Sequence, residues 1–169
     1  MIKKIDPVKL SVNIVELWDR QWLLLTSGTF DDCNMMTVSW GSIGCMWNKA
    51  FAQIVVRPQR YTFEFLEKSD SFTLCAFPEK YRQALQILGS KSGRHGDKLS
   101  MTDLTLRKST KISAPAYNEA ILILECQKIY YQDLDPKGFL DKGIQDNYPI
   151  NDYHRVYYGE ILAAFMDDN

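Results

Sequence analysis

Short apolar runs closed by Gly, Pro or a polar cluster recur along the whole chain, while a clear helical period occurs in only one stretch. Such a chain has little material for the crossover helices of a parallel sheet and much for strands joined by hairpins. Residues 22–27 form an apolar run that ends at Gly28, and the polar cluster 28–34 predicts a hairpin turn. Residues 35–40 mix Met, Thr, Val, Ser and Trp as a second strand, and 51–57 are rich in β-branched side chains until Pro58 stops them. Residues 72–77, 121–129 and 156–165 read the same way. The clear helix is 78–88, with Pro78 in its first turn, Tyr81, Ala84, Leu85 and Leu88 on one face and Gly89 placed to end it. A shorter helical pattern covers 61–66, with Tyr61, Phe65 and Leu66 on one face. A third helix fits 139–145 inside the polar segment 132–152. Six or seven strands with two or three helices predict an all-β to α+β fold, an antiparallel barrel with flanking helices in a single domain over 1–169.

Composition narrows the functional classes. A formal net charge of -1 and a pI near 6.1 leave no excess of cations to neutralise phosphodiesters, so no nucleic-acid partner is expected. Cys33, Cys45, Cys75 and Cys126 contain no C-x-x-C pair and only His95 and His154 accompany them, so no metal site is expected and the thiols read as small reduced hydrophobes. The opening Met1-Ile2-Lys3-Lys4 is interrupted by Asp6, Lys9, Asn13 and Glu16 before any leader-like apolar region develops. No run approaches the ~18 apolar residues of a membrane span. The expectation is a cytoplasmic protein with no membrane partner.

No G-x-G-x-x-G, P-loop or G-x-S-x-G is present. Three segments carry candidate chemistry. In Asn34-Met35-Met36-Thr37-Val38-Ser39-Trp40, the hydroxyls of Thr37 and Ser39 and the strand backbone could hydrogen-bond a flat polar ring, with Trp40 or Met36 against it. The plainer reading is a strand with solvent-facing hydroxyls and Trp40 in the core. Arg57-Pro58-Gln59-Arg60-Tyr61-Thr62 puts two guanidiniums and a hydroxyl at a helix start, a ready anion site. The plainer reading there is a helix capped by Thr62 with two solvated arginines. Ser90-Lys91-Ser92-Gly93-Arg94 offers hydroxyls and cations that could complete the same site, or is simply a polar loop. His95 reads as solvated and His154 as a satisfied structural histidine.

In this order the three segments resemble the flavin-reductase-like family of FMN-binding split barrels, which includes the flavoredoxins. The segment 34–41 resembles the family's N-x-M-T-x-S-W strand, 57–62 its R-P-x-R-x-T helix start, and Ser92-Gly93-Arg94 with Asp97-Lys98 its S-G-R-x-x-D-K loop. Leu124-Glu125-Cys126 and the run from His154 to Glu160 resemble its late strands. The resemblance covers about residues 20 to 165. It implies a Greek-key split β-barrel and a homodimer with FMN near the subunit interface. The flavin ring would lie along Met36, Thr37, Val38, Ser39 and Trp40, with the phosphate at Arg57, Arg60, Tyr61 and Thr62 and help from Ser90, Lys91 or Ser92. Asn34 is expected to shape the turn. The activity implied is NAD(P)H-dependent flavin reduction, for which no catalytic side chain is needed. A flavoredoxin-like electron carrier serving a redox partner protein is the alternative, and a cofactor-free barrel acting as a binding module is a third. Two departures stand out. The 132–152 loop is long and acidic and is expected to cover or narrow the substrate side, and no nicotinamide-specific motif is present.

Overall fold

The computed structural model describes residues 2–167; Met1, Asp168 and Asn169, which the single-domain expectation includes, lie outside them. In chain order the strands are β1 (Lys3–Ile5), β2 (Leu23–Gly28), β3 (Cys33–Val38), β4 (Gly41–Met46), β5 (Lys49–Val56), β6 (Ser71–Ala76), β7 (Leu106–Arg107), β8 (Ala116–Tyr117), β9 (Leu122–Asp133) and β10 (Arg155–Met166). Between them lie α1 (Ile14–Glu16), which continues as a π turn over Leu17–Gln21, α2 (Tyr61–Lys68) and α3 (Arg82–Ser90).

The continuous apolar runs are strands buried on both faces, because successive side chains point to opposite sides of a sheet. In β2, Leu23 and Leu25 enter one core and Leu24 the other; in β6, Phe72 and Leu74 oppose Cys75; in β9, Leu122, Leu124 and Cys126 oppose Ile123. The first core is the barrel interior. The second lies under α3, which contributes Ala84, Leu85 and Leu88, the face read from its period. A register shift between Ile161 and Ala163 exchanges the two faces of β10, so that Tyr157 and Ile161 before it and Ala164 after it enter the barrel core, while Ala163 and Phe165 enter the other.

The pairing is antiparallel throughout, in the order β3-β2-β6-β9-β10-β5-β4, with β1 also against β10. The two ends of that order, β3 and β4, are separated in the chain only by Ser39 and Trp40. A sheet whose first and last strands are tied so closely must curl until its edges stand side by side. The result is a barrel with a seam between β3 and β4, the split-barrel architecture.

Several boundaries differ from the sequence reading. The turn is narrower than 28–34, since Cys33 and Asn34 already pair with Gly28 and Ser27. The second strand ends at Val38 rather than at 40, because the chain must change edges there. Residues 41–46 form a strand that the apolar pattern did not announce: Gly41, Ser42 and Gly44 interrupt it. Its hairpin to β5 turns on Trp47 and Asn48, with φ of 54° and 58°, the left-handed pair of a tight two-residue turn. Gly89 does not end α3, which runs on to Ser90; a Cβ there would stand 3.0 Å from that of Thr37, so glycine serves the close approach of α3 to β3. In α2 the buried face is Thr62 and Leu66, with Phe63 against the barrel core, and Tyr61 and Phe65 lie half-buried. Two short 3-10 turns, Pro136–Gly138 and Lys142–Asn147, replace the expected helix at 139–145.

Candidate functional site

The seam opens into two adjoining cavities that share Arg60. One, of about 200 Å³, is lined by Met36, Thr37, Val38, Ser39, Trp40, Val55, Arg57, Arg60 and His154. Its long wall is β3, which among the described residues pairs with β2 alone and so presents an edge of backbone N–H and C=O groups with no described strand beside them. The side chains of that strand are mostly committed elsewhere. Met36 and Val38 are in the barrel core, and the Thr37 hydroxyl donates to the Leu85 carbonyl at 2.5 Å. Met36 and Thr37 line the cavity, but with the Thr37 hydroxyl engaged, what β3 chiefly offers there is main chain. Trp40 is not in the core either. It is 48% exposed, with its ring 5.5 Å from that of His154.

The second cavity, of about 370 Å³, brings Arg60, Tyr61 and Thr62 together with Ser90, Lys91 and Ser92 and adds Asn34, Gln59, Gly89, Gly93, Arg94, His95 and Lys98. Arg60 is the N-cap residue of α2 and supplies no side-chain cap, so the opening N–H groups of that helix lack a side-chain partner there. Its Nη2 donates to the Gly89 carbonyl at 2.8 Å. Lys98, read only as the end of a polar loop, is 5% exposed and donates through Nζ to the carbonyls of Leu88 at 2.8 Å and Lys91 at 3.1 Å. Among the described residues neither cation meets a carboxylate. Burial, reinforced by Arg60, pulls Lys98 down to about 8, and burial with Arg57 lowers Arg60. The arrangement concentrates positive charge that water and acidic residues do not fully compensate.

The walls are held by buried polar contacts. The Asn34 amide donates to the Thr62 hydroxyl at 2.7 Å, so Asn34 ties β3 to α2 rather than shaping a turn, and Thr62 is an interior helix residue rather than a cap. A side chain at Gly93 would collide with the Asn34 amide oxygen. The Ser90 hydroxyl donates back to the Gln86 carbonyl at 2.8 Å, and the Ser92 hydroxyl accepts from the Arg94 N–H at 3.3 Å. Arg94 is neutralised by Glu64 at 2.5 Å and lies over the Tyr61 ring at 4.9 Å. His95 is exposed at the rim.

Arg57 lines the ring-side cavity together with Arg60, and not the cavity of Thr62 and Ser90–Ser92. Its Nη1 donates to Asp152 Oδ2 at 2.6 Å and its Nη2 to the Asn147 carbonyl at 2.8 Å, and its guanidinium lies 5.0 Å from the centre of the Tyr148 ring. All three partners belong to the 132–152 segment, which thereby straps across the strand end. The Tyr148 hydroxyl is 2.7 Å from His154 Nδ1, and burial with Arg57 pulls His154 down to about 4. His154 is thus a satisfied neutral ring, as expected, yet also part of the cavity wall. No cluster of three or more metal-binding side chains occurs among the described residues, and none of their helices is long and apolar enough to cross a membrane.

Sequence reasoning missed Lys98, Gly89, Val55 and His154 as lining residues. For Lys98 a signal existed in the Asp97-Lys98 pair of the loop motif and for His154 in the run from His154 to Glu160; Gly89 and Val55 are brought in only by the fold. Comparison with known proteins adds an independent finding. A family model described as a flavin reductase like domain matches residues 20–169. An uncharacterised protein of Pyrococcus abyssi is 24% identical over 147 residues, covering 87% of this chain and 74% of its own. Among solved structures, an FMN-binding domain of a flavin reductases-like enzyme from Shewanella baltica superposes with a TM-score of 0.72 at 18% identity, covering 99% of this chain and 78% of that one. A flavoredoxin from Methanosarcina acetivorans does so with a TM-score of 0.67 at 20% identity, over 97% and 77% of the respective chains.

Proposed function

Because the chain belongs to the flavin reductase like family, we propose that it binds FMN across the barrel seam and acts as an NAD(P)H-dependent flavin reductase. The observation that carries this reading is the pair Arg60 and Lys98, two cations that line one cavity beside the start of α2 and meet no carboxylate among the described residues. Burying such charges is costly unless an anion offsets them, and a phosphate ester at a helix N-terminus does so. In this reading the phosphate meets Arg60, Lys98 and the N–H groups of Tyr61 and Thr62, with Ser90, Lys91 and Ser92 at the rim. The ring system lies along the free edge of β3 from Met36 to Trp40, where main-chain N–H groups are suited to stabilise negative charge. FMN, when bound, supplies the hydride-accepting and hydride-donating centre. The chain's own residues position it: Thr37 fixes β3 against α3, Asn34 fixes β3 against α2, and Trp40 shields one end of the seam.

The assembly proposed is a homodimer. Trp47 and Tyr130 are exposed on the outer face of β4, β5, β9 and β10, and their rings cluster with Tyr158 and, through it, Phe51 at 5.5–6.3 Å. Exposed apolar patches of this kind mark contact surfaces. Strand β4 starts at Gly41, directly after Trp40, so a second copy seated there also borders the seam.

The test is an absorption spectrum of the purified protein with and without added FMN, followed by anaerobic NADH or NADPH. The expected result is a yellow protein whose visible band is bleached by the nicotinamide. A colourless protein that takes up no FMN would overturn the reading. Bleaching by dithionite but by neither nicotinamide would leave an electron carrier instead.

A further inference from the structure

The ring-side cavity contains two cations, Arg57 and Arg60. On the reading above, the flavin ring lies along the β3 wall of this cavity and its phosphate takes up Arg60, which leaves Arg57, outside β3, to set the charge that a ligand stacked on the ring meets. Arg57 is not available to an anion. Asp152 Oδ2 accepts from its Nη1 at 2.6 Å and also from the Gln59 amide, the Asn147 carbonyl takes its Nη2 at 2.8 Å, and the Tyr148 ring covers its face. The other carboxylate oxygen, Asp152 Oδ1, is buried with no hydrogen-bonding side chain against it among the described residues. The hydrogen bonds to Oδ2 also hold Asp152 below the usual carboxylate range, so it stays charged. His154, the remaining titratable group of the wall, is neutral because of burial and the nearby Arg57.

We propose that Asp152, by neutralising Arg57, makes the site over the bound flavin ring selective for an uncharged planar ligand and excludes carboxylate-bearing aromatics of the same shape. The inference rests on the flavin reading, because it needs Arg60 to be taken up by the cofactor. It assigns Asp152 as a specificity-determining residue that acts through Arg57 and need not touch the ligand. Trp40 and the neutral His154 then supply a wall that suits a neutral ring, and a ligand carboxylate would find the Arg57 guanidinium already taken.

Benzamide and benzoate differ in charge but hardly in shape, and their dissociation constants on the FMN-loaded protein can be read from perturbation of the flavin spectrum. The expected result is tighter binding of benzamide by the wild-type protein. In Asp152→Asn the freed guanidinium should improve benzoate binding by about tenfold or more, the size of one charge-assisted hydrogen bond, with benzamide little changed. The double variant Asp152→Asn/Arg57→Gln should lose that gain. Should Asp152→Asn fold poorly, Arg57→Gln alone decides: it leaves Asp152 uncompensated and should weaken benzoate further. Equal binding of the two ligands by the wild type, no gain in Asp152→Asn, or improved benzoate binding in Arg57→Gln would each overturn the inference with the flavin reading intact. Failure of the wild type to bind FMN at all would instead overturn the flavin reading, and this inference with it.

Discussion

Lys98 shows how a single buried ammonium can report on the site. Its proton is held to about 8 in the folded chain, against an ordinary value of 10.5. Between those values the unfolded chain binds more protons than the folded one, so stability of the flavin-free protein should rise as pH increases from 8 toward 10.5. Urea titrations across that range check the slope, and Lys98→Met should abolish it. A bound phosphate favours the charged ammonium, so FMN binding near pH 8.5 should take up protons, visible as a buffer-dependent heat. Arg60→Ala should weaken FMN binding by about 1.5–3 kcal/mol, the range for a hydrogen bond to a charged group, read by quenching of flavin fluorescence. Arg57→Ala should cost much less, since its hydrogen bonds go to Asp152 and Asn147. The two arginines look equivalent three residues apart in the chain. They are not, because one ends a strand and the other caps a helix, and the partner that occupies Arg57 lies 95 residues away. That separation is why the residue types of the site were legible in the sequence while their division between two cavities was not.

At the scale of elements, runs with a two-sided apolar pattern announced themselves as strands, and α3 announced its buried face. What stayed hidden was β4, whose glycines and serine carry no burial signal, and its hairpin, where Trp47 occupies a left-handed position that the usual turn residues would have advertised. The Leu124-Glu125-Cys126 strand hides a further anchor. Glu125 is buried and accepts from the Thr110 N–H at 2.9 Å, the Thr110 hydroxyl at 3.0 Å and the Lys111 N–H at 2.7 Å. It pins the loop before β8 to the barrel. Glu125→Ala should destabilise the protein by about 2–4 kcal/mol, through lost charge-assisted bonds and donors left unpaired, as measured by thermal or urea unfolding. Gly93→Ala belongs to this scale as well. Displacing the Asn34 amide should loosen the β3–α2 tie, lowering the unfolding temperature of the flavin-free protein, since buried polar groups lose their partner, and weakening FMN binding as well.

For the whole molecule, the proposed dimer makes the outer aromatic face a testable feature. Trp47→Lys should shift the molecular mass measured by light scattering from dimer to monomer, with the far-ultraviolet circular dichroism unchanged. A dimer that survives the substitution would move the contact elsewhere. The fold class was legible because hairpin-ordered strands without crossover helices leave few alternatives, whereas the closure of the sheet was not, since it depends on which strands become edges.

The link of Ser39 and Trp40 joins two strands that are neighbours in sequence and extremes of the sheet. Their meeting place therefore comes into being only when every intervening strand has taken its position, and no fragment of the chain can assemble it early. A molecule clasped there discriminates finished barrels from partly folded ones. By mass action it deepens the free-energy well of the complete structure rather than of any one part.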